Sequence, residues 1–335
     1  MGPAVDRRVS ARVWVALWTV YLVWGSTYLA IRVVVRPSVG TGLPPLLVAG
    51  VRFCVAGLLM LAFTARRPAA DGKPDPLGWR QCGATAVVGV ALLLGGNGLV
   101  SIAEKRVASG PAAVIIATVP IWAALIVAVA GRERVGARHA AGLALGFVGV
   151  IVLVAGEGGG RLDLIGVLLL LVAALSWASG SVWSRTAPMP RRPLVMTGME
   201  MVCGGIACVV AGLAAGEASQ VHLAEVPMRV WLAVAYLVVF GSMAAYTAYV
   251  WLLGNAPLPL VTTYAYVNPL VAVLLGSLLL GERFTARTAI ATIVIVAGVA
   301  LIVSRPRAAA VEAPPAPGAG AGAAPDLQDE AVELR

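Results

Sequence analysis

The sequence predicts an all-α integral membrane protein of ten transmembrane helices, arranged as two inverted five-helix repeats. Three observations lead there. Apolar residues make up 60% of the 335-residue chain and charged residues only 12%, against roughly 25% charged in soluble domains. The apolar residues fall into ten stretches separated by charged or Gly/Pro breaks. A block of 35 residues in the first half recurs without a gap 149 positions later.

The stretches run at 13–34, 44–64, 83–103, 109–130, 139–155, 164–184, 194–213, 230–252, 258–280 and 287–303. At 1.5 Å per residue a crossing takes about 20 residues, and the shorter fifth and tenth stretches suit a thin or pinched hydrocarbon layer. The chain is thereby divided into an N-terminal segment 1–12, a first repeat 13–155, a linker 156–163, a second repeat 164–303 and a tail 304–335. The first stretch is too long for a signal-peptide core and no small-residue cleavage site follows it, so it is expected to be retained. The tail is rich in Pro, Ala, Gly and acidic residues, cannot bury enough apolar surface to offset the entropy of ordering, and is expected to be disordered.

The net charge of +9 comes from 25 basic and 16 acidic residues. The basic residues gather at the ends of apolar stretches without interleaved aromatics, which points to membrane topology and away from nucleic acid. With a cytoplasmic N-terminus, 16 Lys and Arg fall in cytoplasmic segments and 7 in the opposite ones. Both termini are therefore expected on the cytoplasmic side of the plasma membrane. Arg outnumbers Lys 23 to 2, and Ala, Gly and Val are abundant, a composition compatible with a GC-rich bacterial genome.

Cofactor chemistry finds little support. Cys54, Cys82, Cys203 and Cys208 lack metal-ligand spacing, His139 and His222 lie in or beside loops, and a phosphate-binding glycine loop is absent, so neither metal, cofactor nor ATP is expected. An intramembrane enzyme would need a base at depth, for which only Glu200 is available. A passive channel would need a charged ring or filter sequence, which is missing.

In the repeat, Pro120–Val154 aligns with Pro269–Val303 with 11 of 35 pairs identical, against about 4 expected from the composition. The pairs include Pro120 with Pro269, Glu133 with Glu282, Arg134 with Arg283 and Gly149 with Gly298. The same shift sets Asn97 opposite Tyr246, and a slightly longer one sets Trp24 opposite Trp177. Five spans per half is an odd number, so the second half must enter the membrane upside down. Inverted repeats recur in secondary transporters, which bind cargo near the midplane and rock one half against the other. A duplicated scaffold that transports nothing is the alternative.

The chain resembles the EamA family of the drug/metabolite transporter superfamily over nearly all of residues 13–303. The likeness rests on WGSTYLAIR in the first span, Arg52 in the second, SGPAAVIIATVPIWAALIVAVAGRERV across the fourth, SWASGSVWSR in the sixth and YAYVNPLVAVLLGSLLLGERF across the ninth. The paired Pro-plus-Glu blocks are its most specific part. The resemblance implies a ten-helix bundle that exports small metabolites, amino acids or drugs, without choosing among them.

Candidate site residues follow from depth. Pro120 and Pro269 lie 11 residues into their spans; each lacks its N–H and frees the carbonyl four residues back, on Ile116 and Ala265, giving either a hinge that shapes a cavity or a static kink. Trp24, at similar depth, is followed by Ser26, Thr27 and Tyr28, and Trp24 and Tyr28 share a helix face. Trp177, Ser179 and Ser181 form the counterpart in the sixth span, and Asn97, Tyr246, Tyr264, Tyr266 and Asn268 add polar tips in the third, eighth and ninth. Such a set suits a pocket for a small amphipathic or zwitterionic substrate; interhelical hydrogen bonding is the competing explanation. Intramembrane charges are few. Arg32 can snorkel, Arg52 can hold a substrate anion or satisfy helix carbonyls, and Glu200 can carry a coupling proton. Glu133 and Glu282 lie too shallow for a midplane site and are expected to pair with arginines or cap the next helix, on opposite membrane faces. Gly142 and Gly146, spaced as GxxxG, allow close contact within the bundle or between the protomers of a homodimer. The expected partners are thus the lipid bilayer, a small-molecule substrate, protons for coupling and a second copy of the chain.

Overall fold

The structure, a computed structural model, describes residues 11–37, 40–65, 77–130, 137–154, 163–256, 264–283 and 285–303. The predicted tail, most of the linker and Glu133 lie outside these residues. Every long element described is a helix, and no strand occurs among the described residues. In chain order they are α1 (Ala11–Val35), α2 (Pro45–Ala65), α3 (Trp79–Ala103), α4 (Ser109–Val129), α5 (Ala137–Val154), α6 (Leu164–Ser184), α7 (Pro193–Ala214), α8 (Met228–Leu252), α9 (Tyr264–Leu280) and α10 (Ala286–Val303). Seven of these, α1 to α4 and α6 to α8, are long and apolar enough to cross a membrane. In hydrocarbon every backbone N–H and C=O must be paired within the segment, which a helix alone achieves for an isolated span.

The helix ends are specified locally. Pro45 and Pro193 stand at the first position of α2 and α7, where the missing N–H costs nothing. The Glu217 carboxylate accepts the N–H groups of Leu46 (3.2 Å) and Leu47 (2.8 Å), setting a negative charge at the positive end of α2. Asp163 caps α6 by accepting the Gly166 N–H at 2.9 Å and pairs with Arg106 at 2.9 Å.

Three helices depart from regular α geometry where the sequence sets polar residues at mid-span. α3 is π-helical over Val90–Gly98 and α8 over Leu237–Ala244. α4 breaks at Ala117 and Thr118, and its second part begins at Val119 with Pro120 in its first turn. Thr118 closes the break by donating its N–H (3.0 Å) and its hydroxyl (2.7 Å) to the Ile115 carbonyl. Pro269 behaves differently, lying inside a continuous α9.

The helices pack in a repeated pattern. α2 lies along α7 and α5 along α10, while α1 touches α8 and α9 as α6 touches α3 and α4. Glycines allow the closest approaches: a Cβ on Gly50 would sit 2.7 Å from the Gly205 carbonyl oxygen, and one on Gly57 2.7 Å from that of Gly198. Across the other pair, a Cβ on Gly298 would fall 2.7 Å from the Gly142 carbonyl oxygen, so the GxxxG stripe serves contact inside the bundle. Phe53, Leu93 and Met201 fill the space between α2, α3 and α7. Large apolar side chains such as Val15, Leu58 and Leu278 point outward, each more than half exposed, a surface suited to lipid rather than water.

Candidate functional site: a cavity among the helices

The departures from α geometry surround a cavity of about 130 Å³. Its wall is built by Trp24, Thr27 and Tyr28 of α1, Arg52 of α2, Asn97 of α3, Pro120 of α4, Trp177 of α6, Tyr246 of α8, and Tyr264, Asn268 and Pro269 of α9, with apolar residues between them. Polar and aromatic positions far apart in sequence converge because α1 and α6 each pack against helices that carry the others.

Trp24 is the hub. Its ring lies 5.2 Å from Tyr246, 5.1 Å from Tyr249 and 5.3 Å from Tyr264 between centroids, and its indole N–H donates to the Gly241 carbonyl at 3.3 Å, inside the π segment of α8. Edge-to-face rings present hydrogen edges to π faces, so the cluster is held by geometry as well as burial. The Asn268 amide, with its nitrogen turned toward α1, donates to the Tyr21 (3.3 Å) and Tyr264 (3.2 Å) carbonyls.

Arg52 brings a guanidinium into the wall. Its Nε–H donates to the Ser242 hydroxyl at 3.0 Å and its guanidinium carbon stands 4.2 Å from the centre of the Phe53 ring. The residue is 6% exposed, so the charge faces the cavity with little water to screen it.

Other expected residues lie elsewhere. Ser26 bonds to the Tyr236 hydroxyl at 2.5 Å, which places it in helix contact rather than in the wall. Ser179 is exposed and donates back to the Leu175 carbonyl, while Ser181 is half-buried away from the cavity. The side chain of Tyr266 lies outside the described residues. Glu200 is buried on α7, its backbone against Gly89 of α3, and is not part of the wall.

Charged residues at one end of the bundle bond to helix ends. Arg32 is half-buried and reaches past the end of α3: its Nη1 donates to the Glu104 and Val107 carbonyls, and Arg36 donates to that of Lys105 at 2.8 Å. Two cations thus meet the negative end of α3. Glu282 does not cap the helix that follows it. Its carboxylate accepts the Ser109 N–H (2.9 Å), the Ser109 hydroxyl (2.9 Å) and the Gly110 N–H (3.2 Å), capping α4 from the end of α9. Sequence reasoning missed Tyr249, Ser242 and Glu104. Tyr249 was within reach, three residues beyond Tyr246 on the same helix face; Glu104 stands at the end of an apolar run beside Lys105 and Arg106, where nothing in the sequence marks it as buried.

A helical bundle with an apolar outer surface around an aromatic cavity with a few fixed polar groups has the architecture of a polytopic membrane protein that binds a small molecule. The chain belongs to the EamA-like transporter family, whose model matches residues 13–155 and again 164–304. It is 40% identical over 291 residues to the Escherichia coli (strain K12) protein named "Uncharacterized inner membrane transporter YedA", covering 86% of this chain and 89% of that one. It is 26% identical over 294 residues to another protein of that strain, named "Probable amino-acid metabolite efflux pump", covering 83% and 90%. A solved crystal structure shares the fold with a TM-score of 0.58 at 21% identity, over 86% of this chain and 95% of the other.

Proposed function

We propose that the protein is a secondary active exporter of small metabolites, amino acids or drugs across the cytoplasmic membrane. It works by alternating access between two inverted repeats of five spans, with both termini in the cytoplasm. The observation that carries this reading is the cavity itself: its wall draws Trp24, Asn97 and Pro120 from the first half and Trp177, Tyr246 and Pro269 from the second. A ligand held there touches both halves, so their relative rocking would expose it to either side.

The packing supports the inverted arrangement. Exchanging the halves turns the contacts of α1 with α8 and α9 into those of α6 with α3 and α4, and maps the α2–α7 and α5–α10 pairs onto themselves. The glycine contacts obey the same exchange. Gly50 and Gly198 stand 148 positions apart, as do Gly57 and Gly205, so the contact of Gly50 with Gly205 becomes that of Gly57 with Gly198.

The substrate class follows from the wall. Aromatic faces with a poorly screened guanidinium suit an amphipathic molecule bearing a carboxylate, and the relative named as an amino-acid metabolite efflux pump supports amino acids and outward transport. Purified protein reconstituted in vesicles under an imposed proton gradient provides the test. Gradient-driven accumulation of labelled amino acids marks the carrier, whereas dissipative flux marks a channel and no flux a scaffold.

A further inference from the structure

Glu104 follows directly on α3 and its side chain is fully buried. Neither of its carboxylate oxygens has a hydrogen-bond partner among the described residues. Arg32, the cation whose charge acts on it, commits its Nη1 to the backbone carbonyls of Glu104 and Val107. The other charged groups around it are likewise occupied. Glu282 spends its carboxylate on Ser109 and Gly110, Arg36 binds the Lys105 carbonyl, and Arg106 pairs with Asp163. Lys105 is exposed. Tyr28, one turn before Arg32 and part of the cavity wall, lies within electrostatic reach of Glu104.

An ionised carboxylate without donors in such a place is strongly disfavoured, because nothing replaces the water it has lost. The inexpensive state is the neutral acid. Burial pushes the Glu104 carboxyl well above the usual carboxylate range, the Arg32 charge pulls it partly back, and Glu282 raises it again.

We propose that Glu104 is the proton-binding site of this carrier: it holds a proton while Glu282 caps α4 and ionises against Arg32 when that closure opens. The link is covalent and short. Four residues separate Glu104 from Ser109, the group that Glu282 grips, so parting α9 from α4 pulls on the segment that buries the acid. Water then reaches the carboxyl, the O–H bond breaks, the proton passes to solvent, and the carboxylate left behind takes up the Arg32 guanidinium as counterion. Reclosure requires the proton back. This inference rests on the transporter reading only for what the proton is used for; whether Glu104 holds a proton is measured without any cargo.

The experiment is infrared titration of the full chain in lipid, following the C=O stretch of neutral carboxylic acid. Near pH 7 the wild type is expected to show a component that is lost in Glu104→Gln and kept in Glu200→Gln. In Ser109→Ala, which removes one of three donors to Glu282 while keeping its charge, that component should vanish at a pH lower by about one unit. A neutral-acid band unchanged by Glu104→Gln overturns the proton site. A band lost in Glu104→Gln but titrating identically in Ser109→Ala overturns its link to the closure. A folded Glu104→Gln protein, verified by its elution as a single species, keeps the comparison valid.

Discussion

The Glu282 carboxylate and Ser109 are joined twice, through the Ser109 N–H and its hydroxyl, each at 2.9 Å, although 173 positions separate them. The end of α9 thereby holds the start of α4, one helix from each half. Charge-assisted caps of this kind are worth about 1 to 3 kcal/mol. Glu282→Ala is expected to lower the thermal unfolding midpoint, with Glu282→Gln intermediate because its amide oxygen still accepts. An unchanged midpoint in both variants would remove the latch.

The aromatic hub predicts a split between binding and abundance. Trp24→Ala, Tyr246→Ala and Asn268→Ala should each weaken apparent substrate affinity about tenfold, equivalent to about 1.4 kcal/mol, at near wild-type levels in the membrane. Transport kinetics alongside quantitative blotting separate this from a packing role, in which abundance would fall and affinity would stay.

Arg52 predicts a charge requirement. Arg52→Gln should abolish transport of carboxylate-bearing substrates, whereas Ser242→Ala, which removes only the acceptor of the Nε–H, should weaken it a few-fold. Equal transport in Arg52→Gln would mean that the guanidinium merely supports the helices.

Close backbone contacts predict a sharp steric contrast. Gly57→Val places side-chain carbons against the Gly198 carbonyl and should prevent stable insertion, a loss of about 3 kcal/mol or more. Gly83→Ala, with nothing within 4 Å of its new Cβ, should be silent. Fluorescence-detected size exclusion of both variants decides it.

Stability should also depend on pH through Glu104. A carboxyl whose folded pKa lies above its unfolded value of about 4.3 contributes stability fully below that value and loses it as pH rises through the folded pKa. Melting temperatures measured from about pH 5 upward should therefore fall more steeply for the wild type than for Glu104→Gln. Parallel curves would show that the acid is ionised throughout.

Much of the site was legible because depth in a span is countable. Trp24, Asn97, Trp177, Tyr246 and Asn268 stand out as polar or aromatic tips within apolar runs, and all reach the cavity wall. Azimuth was less legible. Ser26 shares its segment with Thr27, yet turns to Tyr236 while Thr27 faces the cavity; one residue is about 100° of rotation on a helix, and the apolar flanks give no clear moment to fix which side is inward.

Composition, span length and the internal repeat determined by themselves that this chain is a helical membrane protein of duplicated halves, because hydrocarbon admits few alternatives to a paired backbone. Only the tertiary structure decided which charges are engaged. Glu104, next to Lys105 and Arg106 in the sequence, lies buried without a donor among the described residues, and Glu282 holds a helix from the other half. The reason is physical: insertion is governed by the average polarity of a segment, whereas the state of a single carboxyl depends on the few atoms that packing brings within hydrogen-bond distance.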